Sequence, residues 1–587
     1  MNLTDWIVLI ITLAGIILYG LYKSRTTKNL EGYFLSNRSL PWYLVLLSIM
    51  GTQASAVTFL SGPGQAYSDG MRFVQYYFGL PLAMVVICIT FVPIFNKLKV
   101  YTAYEYLESR FDGKTRTLTS FLFLLQRGLS TGISIYAPSI ILSALFGWDI
   151  FWTNVIMGGL LIIYTVSGGA KAVAYTQQVQ LIIIFTAMFL AGYMVVHLLP
   201  DGVGFFDALH VGGKLNKLNV ITSGKTEKGF NWDDRYNIWS GMIGGFFLAL
   251  SYFGTDQSQV GRYLTAQNNT ESRLGLLMNG LVKIPMQFLI LLIGVLVFAF
   301  YQFYGPPLSF NTSLVAEAQQ STYKDSMQQL QQQYDSVNTL KQKAALRFTE
   351  ALKQKSEDSV QQWSHELKNL NSATDQYRTE FKRLSSKVSS RDTNDTNYVF
   401  LAFVKQYLPS GLKGLLIAII FLAAWGSIAA ALNSLAASTM IDFHQRITGR
   451  PITENEEALL EYRTSKWYTL GWGIFCILVA EFAYNLGQSL IEAVNVLGSL
   501  FYGVILGIFL VAFYVRRIGG TAIFWSALIV ELFIVLLFFN ERMPVLSFLP
   551  DVSFLWLNAI GALGVVGVSI LLQTAIGGEQ SATRRDR

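Results

Sequence analysis

Apolar residues in this chain gather into blocks of about twenty, and this grouping constrains the fold more than any other sequence feature. A helix needs about twenty residues to cross ~30 Å of hydrocarbon. Because lipid cannot satisfy exposed backbone N–H and C=O groups, each block is predicted to be a transmembrane helix. The sequence therefore predicts an all-α polytopic membrane protein. The thirteen predicted spans are 6–22, 43–63, 74–96, 118–146, 150–166, 177–198, 237–257, 276–304, 411–438, 467–486, 489–514, 520–539 and 554–573.

The composition agrees with a membrane protein and argues against an enzyme. Of 587 residues, 14% are charged, whereas soluble proteins average about 25%. Cys88 and Cys476 lie within apolar blocks, which indicates buried thiols rather than a disulfide or a metal pair. Residues 224–226 resemble the end of a phosphate-binding loop, but Asn219 stands where that loop requires glycine. We therefore expect no catalytic activity.

Basic residues predict the orientation of the chain. The net charge is +7, and basic residues cluster in the loops after the first, third, ninth and eleventh spans and at the chain end. By the positive-inside rule these loops are cytoplasmic, with the N-terminus outside and the C-terminus inside the plasma (inner) membrane. We therefore attribute the positive net charge to loops that contact membrane lipid, and we expect no nucleic-acid partner. The residues are Lys23, Arg25, Lys28, Arg38, Lys97, Lys99, Arg110, Lys114, Arg116, Arg446, Arg450, Arg463, Lys466, Arg516, Arg517, Arg584, Arg585 and Arg587.

Residues 308–397 differ from the rest of the chain. They contain no glycine or proline, and apolar residues recur there at alternating spacings of three and four. This pattern is typical of a coiled coil, and both ends of the segment join predicted spans on the outer side. We predict an external antiparallel helical hairpin with its turn near 356–359. Three roles stay open for this hairpin: packing on the chain itself, binding of a protein partner, or service as a passive spacer.

The second span is too polar for a helix that faces lipid. It carries Thr52, Gln53, Ser55 and Thr58, followed by Gly-Pro-Gly at 62–64. Polar groups with helix breakers at mid-membrane indicate a discontinuous helix whose free carbonyls can hold a cation. The alternative is close helix packing through small residues.

The seventh span ends in a second polar run. The aromatic pair Tyr252 and Phe253 stands beside Gly254, which indicates a substrate-stacking surface next to a helix break. Asp256 and Arg262 follow at the cytoplasmic end, where charged side chains can also snorkel to the interface.

Three further side chains are candidates for function. Ser427, among small residues of the ninth span, offers a hydroxyl to a cation that prefers oxygen ligands. Lys283 and Glu492 are charged residues inside predicted spans, and such residues are functional by default. The alternative for Glu492 is a position near the outer interface.

At these residues the chain resembles the sodium/solute symporter family over nearly all thirteen spans. The segments that carry the resemblance are 168–180, 256–264 and 423–434 with Asp442. The resemblance implies a secondary active transporter that couples sodium to the uptake of a small organic solute by alternating access. Only the segment 308–397 lies outside it.

The resemblance also implies the leucine-transporter type of fold, with two inverted repeats of five helices and broken first and sixth core helices. The breaks would fall in the spans 43–63 and 237–257. The implied units are an extra N-terminal span with its loop (1–42), the first repeat (43–200), the second repeat (201–307 and 398–516), the insert (308–397) and two C-terminal helices with a tail (517–587).

Both candidate sites follow from the resemblance. The implied sodium site consists of the carbonyls of Gly51, Ala54 and Ala423, the Ser427 hydroxyl and the position of Gly426. The implied substrate residues are Thr58, Tyr77, Tyr252, Phe253, Lys283 and Ile491.

The chain departs from the family pattern at several positions. Gly426 stands where many members have a second hydroxyl, and Gln177 stands where the family often has aspartate. Proton-coupled or sodium-independent transport therefore stays an alternative, as does a transporter-like sensor. Thr58 and Tyr77 replace a polar pair of the sugar carriers, and Lys283 is suited to an anionic or polyhydroxy solute. We expect the partner to be an organic anion, a sugar or a related small molecule.

Overall fold

The computed structural model describes residues 2–24, 30–227, 229–388, 393–448, 456–483, 489–540 and 551–576. These residues are almost wholly helical. Eight helical segments among them are long and apolar enough to cross a membrane. Among the described residues, β1 (Lys225–Thr226) and β2 (Gly229–Phe230) form a short antiparallel pair of strands.

Every predicted span falls largely on helical structure, although the end of 467–486 lies outside the described residues. Several spans consist of two shorter helices or of part of a longer one. The helices are α1 (Leu3–Ser24), α2 (Leu30–Leu35), α3 (Trp42–Gln53), α4 (Ala56–Asp69), α5 (Leu80–Ile89), α6 (Phe91–Leu98), α7 (Glu105–Arg110), α8 (Gly113–Phe146), α9 (Ile150–His197), α10 (Phe205–Lys214), α11 (Gly245–Thr255), α12 (Gln257–Tyr263), α13 (Asn269–Tyr304), α14 (Thr312–Gln319), α15 (Lys324–Lys353), α16 (Glu357–Val388), α17 (Val399–Tyr407), α18 (Leu412–Ser438), α19 (Gln445–Thr448), α20 (Glu456–Ala480), α21 (Leu490–Tyr514), α22 (Gly520–Phe538) and α23 (Phe554–Ile576). Tighter or wider helical turns occupy Ser36–Arg38, Gly70–Tyr77, Ser240–Gly244, Thr396–Tyr398 and Thr439–His444.

The second predicted span is broken, as its polar run indicated. Helix α3 ends at Gln53, Ala54 has a ψ of 68°, and Ser55 is extended before α4 begins. The Ser55 N–H donates to the Gln53 carbonyl at 2.9 Å, so the Gly51 carbonyl loses its helical partner. The Gly-Pro-Gly run at 62–64 lies inside α4 and not at the break.

Helix α9 contains two of the predicted spans. It spans 48 residues of helical backbone. In a straight helix, residues twelve positions apart are separated by about 18 Å. The hydroxyl oxygens of Tyr164 and Thr176 are only 2.6 Å apart, so α9 folds back on itself between them. The predicted gap between the fifth and sixth spans falls at this bend.

The seventh predicted span also contains a break, close to its end. Helix α11 ends at Thr255, Asp256 is extended, and α12 begins at the next residue. The break lies two residues beyond its predicted position at Gly254. The snorkelling alternative for Asp256 and Arg262 is wrong, because these residues are 1% and 2% exposed.

The basic loops that were predicted to share one side do contact one another. Arginine side chains donate to backbone carbonyls across the loops that follow the first, third, ninth and eleventh spans. The contacts are Arg38 to Lys99 at 3.0 Å, Arg446 to Gly113 at 2.9 Å and Arg110 to Val515 at 3.1 Å. The cytoplasmic assignment of that side stays a prediction, as do the inverted repeats. The basic residues that lie outside the described part of the chain are Arg25, Lys28, Arg450, Arg584, Arg585 and Arg587.

The insert forms two paired helices, α15 and α16, joined by a tight turn in which Lys355 has a φ of 55°. The turn lies just before the predicted 356–359. Phe348 of α15 belongs to the same apolar cluster as Val211 and Leu296 of the helices that precede the insert. The hairpin therefore packs on the chain itself, which disfavours the passive spacer.

Candidate functional site

A cavity of about 1070 Å³ lies where the break between α3 and α4 faces α8, α11, α13, α18 and α21. All six residues that the resemblance assigned to substrate line this central cavity. They are Thr58, Tyr77, Tyr252, Phe253, Lys283 and Ile491. The structure thus brings together side chains that are far apart in the sequence.

Lys283 is the most unusual residue of the cavity wall. It is 2% exposed, and its Nζ lies 5.5 Å from the centre of the Tyr77 ring. It forms no salt bridge with any carboxylate of the described residues. A buried ammonium that lies over an aromatic ring and has no carboxylate partner among the described residues favours a negatively charged occupant.

A second cation, Arg127, also lines the cavity, but it has a partner. Asp256 Oδ2 lies 3.8 Å from Arg127 Nη1 and accepts a hydrogen bond of 2.6 Å from the Tyr502 hydroxyl. Asp256 Oδ1 also accepts the Ser258 N–H at the start of α12. The sequence analysis missed Arg127, although a charged residue within the predicted span 118–146 is a signal for it.

The predicted sodium ligands lie where α3 and α4 meet α18. A Cβ placed on Gly426 would be 3.5 Å from the Gly51 carbonyl oxygen, and Ala54 and Ala423 share one apolar cluster. The Ser427 hydroxyl donates to the Ala423 carbonyl at 3.0 Å. Carbonyl and hydroxyl oxygens are the ligands that a hard cation prefers, so these groups are chemically suited to sodium.

Two glutamines complete this region. Gln177 Nε2 donates to the Gly426 carbonyl at 3.0 Å, and Gln177 Oε1 accepts the Ser48 hydroxyl at 2.9 Å. Gln180 Oε1 lies 2.8 Å from the point where a Cβ on Gly426 would stand. The Gly426 carbonyl is thus already hydrogen-bonded, and an amide oxygen lies near the place of the missing hydroxyl. The sequence analysis singled out Gln177 but gave Gln180 no role.

Glu492 does not line the central cavity. It pairs with Arg235, whose side chain is 50% exposed. This placement supports the alternative that Glu492 lies near an interface.

Asp442, the last residue of the third resemblance segment, anchors the end of α18. Its carboxylate pairs with Arg116 at 2.7 Å and accepts hydrogen bonds from Thr102, Ser120 and Ser438 at 2.8, 3.1 and 2.6 Å. These partners satisfy the buried charge, so Asp442 has a structural role away from the cavity.

Two interrupted helices around a central cavity, with a buried cation in its wall, are typical of a membrane transporter of the broken-helix kind. The comparisons with known proteins are more specific. The sodium:solute symporter family matches residues 33–319 and 377–529. The chain therefore belongs to the sodium:solute symporter family. The match reaches further into both ends of the insert than predicted, but it leaves out α15 and the first part of α16.

Individual relatives agree with this assignment. The human sodium/iodide cotransporter is 32% identical over 282 residues, which is 47% of this chain and 41% of that protein. The human sodium-coupled monocarboxylate transporter 1 is 31% identical over 267 residues, 45% of this chain and 42% of that protein. The chain thus matches less than half of the length of these two relatives. The sodium/sialic acid symporter NanT of Aliivibrio fischeri is 24% identical over 571 residues, 97% of this chain and 92% of that protein.

The fold is also similar to a solved structure, a substrate-bound, outward-open Na⁺-coupled sialic acid symporter. The TM-score is 0.72 with 22% sequence identity, and the match covers 98% of each chain. At this identity the similarity establishes the shared helical fold.

Proposed function

We propose that this protein is a sodium-coupled symporter that carries a small organic anion through the central cavity by alternating access. The observation that supports the anion most strongly is Lys283, buried in the cavity wall without a carboxylate partner among the described residues. An isolated buried charge is costly, and an anionic solute would offset that cost. Tyr77, Tyr252 and Phe253 would contact the apolar part of the solute.

The relatives support the same class of solute. Iodide, monocarboxylates and sialic acid are named for three of them, and all three are anions at neutral pH. Sialic acid combines a carboxylate with a polyhydroxy body. A carboxylate that meets Lys283 is therefore the feature we propose for the solute of this chain.

Sodium is the proposed coupling ion, because the family and these relatives are sodium-coupled. The carbonyls of Gly51, Ala54 and Ala423 and the Ser427 hydroxyl would supply its oxygen ligands. Each positive charge that moves inward releases ~2.3 kcal/mol per 100 mV of membrane potential. One sodium with one monovalent anion is a neutral pair, so net charge movement would require a second sodium.

Proton-coupled or sodium-independent transport is the alternative. It is motivated by the Gln177 amide, which holds the Gly426 carbonyl in a hydrogen bond. That bond occupies the backbone oxygen at a position where glycine also supplies no hydroxyl for a cation. We favour sodium because the break at Ala54 and the Ser427 hydroxyl leave other oxygens available.

Substitution of Lys283 tests the anion assignment. In proteoliposomes with an inward sodium gradient, the wild type is expected to take up a radiolabelled monocarboxylate or sialic acid but not glucose. Lys283→Gln removes the charge and should raise the solute concentration for half-maximal uptake at least tenfold. A charge-assisted hydrogen bond contributes about 1.5–3 kcal/mol, which corresponds to a change of that size.

The exposed Lys97 on α6 provides the control, since Lys97→Gln removes the same charge outside the cavity. It should leave uptake unchanged. Equal anion uptake by Lys283→Gln and the wild type, or uptake of glucose alone, would contradict the proposal.

A further inference from the structure

A second cavity lies between the insert and the C-terminal end of α4. It is partly open to solvent and is lined by α4, the segment after α10, α13, α15 and α16. Tyr67, Ser68 and Phe298 come from the transporter core, and Lys341 and Arg378 come from the hairpin. No residue lines both this cavity and the central one, so the two are separate sites.

The wall of the second cavity is strongly basic. Among the described residues its acidic side chains are Asp375 and Asp395, and Asp395 pairs with Arg378 at 2.6 Å. Lys382 lies 3.7 Å from the same carboxylate. The charged and titratable lining residues are Lys217, Lys341, Lys368, Arg378, Lys382, Asp375, Asp395, Tyr67 and Tyr334. Even if both carboxylates are ionised, the wall keeps a clear excess of positive charge.

Lys341 is the residue that points most directly to a ligand. It is 1% exposed, and it makes no hydrogen bond or salt bridge with the part of the chain that the structure describes. Tyr334 and Asn338, on the preceding turns of α15, both donate to the Pro306 carbonyl. Lys341 on the next turn has no comparable acceptor. A buried ammonium without a partner is costly unless an anion neutralises it.

We propose that this second cavity is a binding site for a small soluble oxyanion, held by Lys341 with Arg378 and Lys368 around it. A carboxylate or phosphate group would supply the acceptor that Lys341 lacks among the described residues. The polar cavity wall favours a soluble anion over an acyl chain. Residues 320–376 lie outside the family match, so Lys341 and Lys368 are not part of the region that the family model describes.

The site is positioned to act on the transporter core. Thr58 of α4 lines the central cavity, and Tyr67 of the same helix lines the second one. Nine residues of helix separate them by about 14 Å. The Ser61 hydroxyl of α4 also donates to Asn397 Oδ1 at 2.7 Å, in the segment that returns from the insert. A bound anion would therefore tie the hairpin to one half of a broken helix.

Binding should depend on pH. Burial, with a smaller contribution from the charge of Arg378, lowers the pKa of Lys341 to about 7, and Asp375 opposes the shift. The protonated ammonium is the form that attracts an anion. Affinity should therefore be high at about pH 6 and should fall as the pH rises through about 7, because the amine becomes neutral.

Thermal unfolding of the purified full-length protein in neutral detergent tests the site, with inorganic phosphate and succinate as probes. Chloride at matched ionic strength controls for salt effects. Both oxyanions should raise the Tm of the wild type in a saturable way, more at about pH 6 than at about pH 9. Lys341→Met should raise the anion concentration at half-saturation at least about tenfold.

Three further variants show whether the anion binds in the second cavity. Lys343→Met removes an exposed charge from the same helix and should respond like the wild type. Lys368→Met, at an exposed lining position, should weaken the response with little effect on folding. Lys283→Gln, in the central cavity, should retain the Tm response of the wild type. An unchanged response in Lys341→Met would overturn the proposal. So would a response to phosphatidylglycerol vesicles alone, which would identify a lipid headgroup.

Discussion

Ser427 illustrates how a single oxygen can decide ion coupling. Its hydroxyl donates to the carbonyls of Ala423 and Ala424 at 3.0 and 3.2 Å, so its own lone pairs stay free to accept a cation. Gly426 beside it has no hydroxyl, and the Gly426 carbonyl bonds to an amide. Ser427 is therefore the one side-chain oxygen among the five predicted ligands.

Ser427→Ala should raise the sodium concentration for half-maximal uptake about tenfold, which corresponds to about 1.4 kcal/mol. One ligand of a few is lost, and Gly426 beside it has no side-chain oxygen to replace it. Ser434→Ala is a matched control, because Ser434 is buried on the same helix and donates to the Ala430 carbonyl at 2.8 Å. Sodium-dependent uptake assays measure both variants. Equal sodium dependence of Ser427→Ala and the wild type would remove Ser427 from the site.

At the residue scale, the sequence and the resemblance identified the cavity wall but not its internal pairing. The six substrate candidates all line one cavity. The contact of Arg127 with Asp256 could not be predicted, because it joins α8 to the start of α12 across the fold. Gln180 was missed for the same reason, since its proximity to Gly426 depends on how α9 packs on α18.

At the scale of elements, polarity predicted the helix breaks better than glycine and proline did. The first break falls at Ala54, within the polar run, while Gly64 lies inside α4. Gly64 has a packing role, because a Cβ there would be 2.0 Å from the Thr396 carbonyl oxygen. Close helix packing, the alternative for this run, thus accounts for the glycine. A sequence cannot reveal this distinction, because Thr396 is distant along the chain.

Gly64→Ala should lower the Tm of the protein, because backbone at Thr396 cannot move aside cheaply. The free energy of unfolding should fall by about 1–3 kcal/mol, as at other overpacked sites. Gly15→Ala on α1 is the control, since a Cβ there meets no atom within 4 Å. Thermal unfolding in detergent measures both. An unchanged Tm for Gly64→Ala would show that the segment after the insert does not pack against α4 in this way.

The insert shows the limit of periodicity at this scale. The spacing of apolar residues predicted two helices and their turn, and α15 and α16 are found there. It could not predict that Phe348 packs against helices of the core. The periodicity also gave no sign of the second cavity. In the sequence, the basic residues that line this cavity are spaced like charges that face solvent.

At the scale of the whole molecule, the distribution of basic residues carried most of the information. The loops that it assigned to one side are joined by the contact of Arg446 with Gly113 and by similar bonds. Hydropathy alone is weaker, since eight of the described segments qualify as spans by length and composition. Two of the others, 43–63 and 237–257, contain helix breaks, and the continuous helix α8 carries polar residues that line the central cavity.

Reporter fusions test the predicted topology. A fluorescent or enzymatic reporter at the C-terminus should be active on the cytoplasmic side, and one inserted at Ser356 should be active outside. Lys355 and Ser356 form the hairpin turn, so an insertion there should disturb folding little. A cytoplasmic reporter at Ser356 would contradict both the span count and the external position of the insert.

Ion-driven uptake by the purified protein tests sodium-coupled symport most directly. Proteoliposomes are given an organic anion with a sodium gradient, a proton gradient or neither, at the same membrane potential. Sodium coupling predicts accumulation of the anion with the inward sodium gradient and none with protons alone. Accumulation driven by a proton gradient without sodium, or equal uptake with no ion gradient, would contradict sodium-coupled symport.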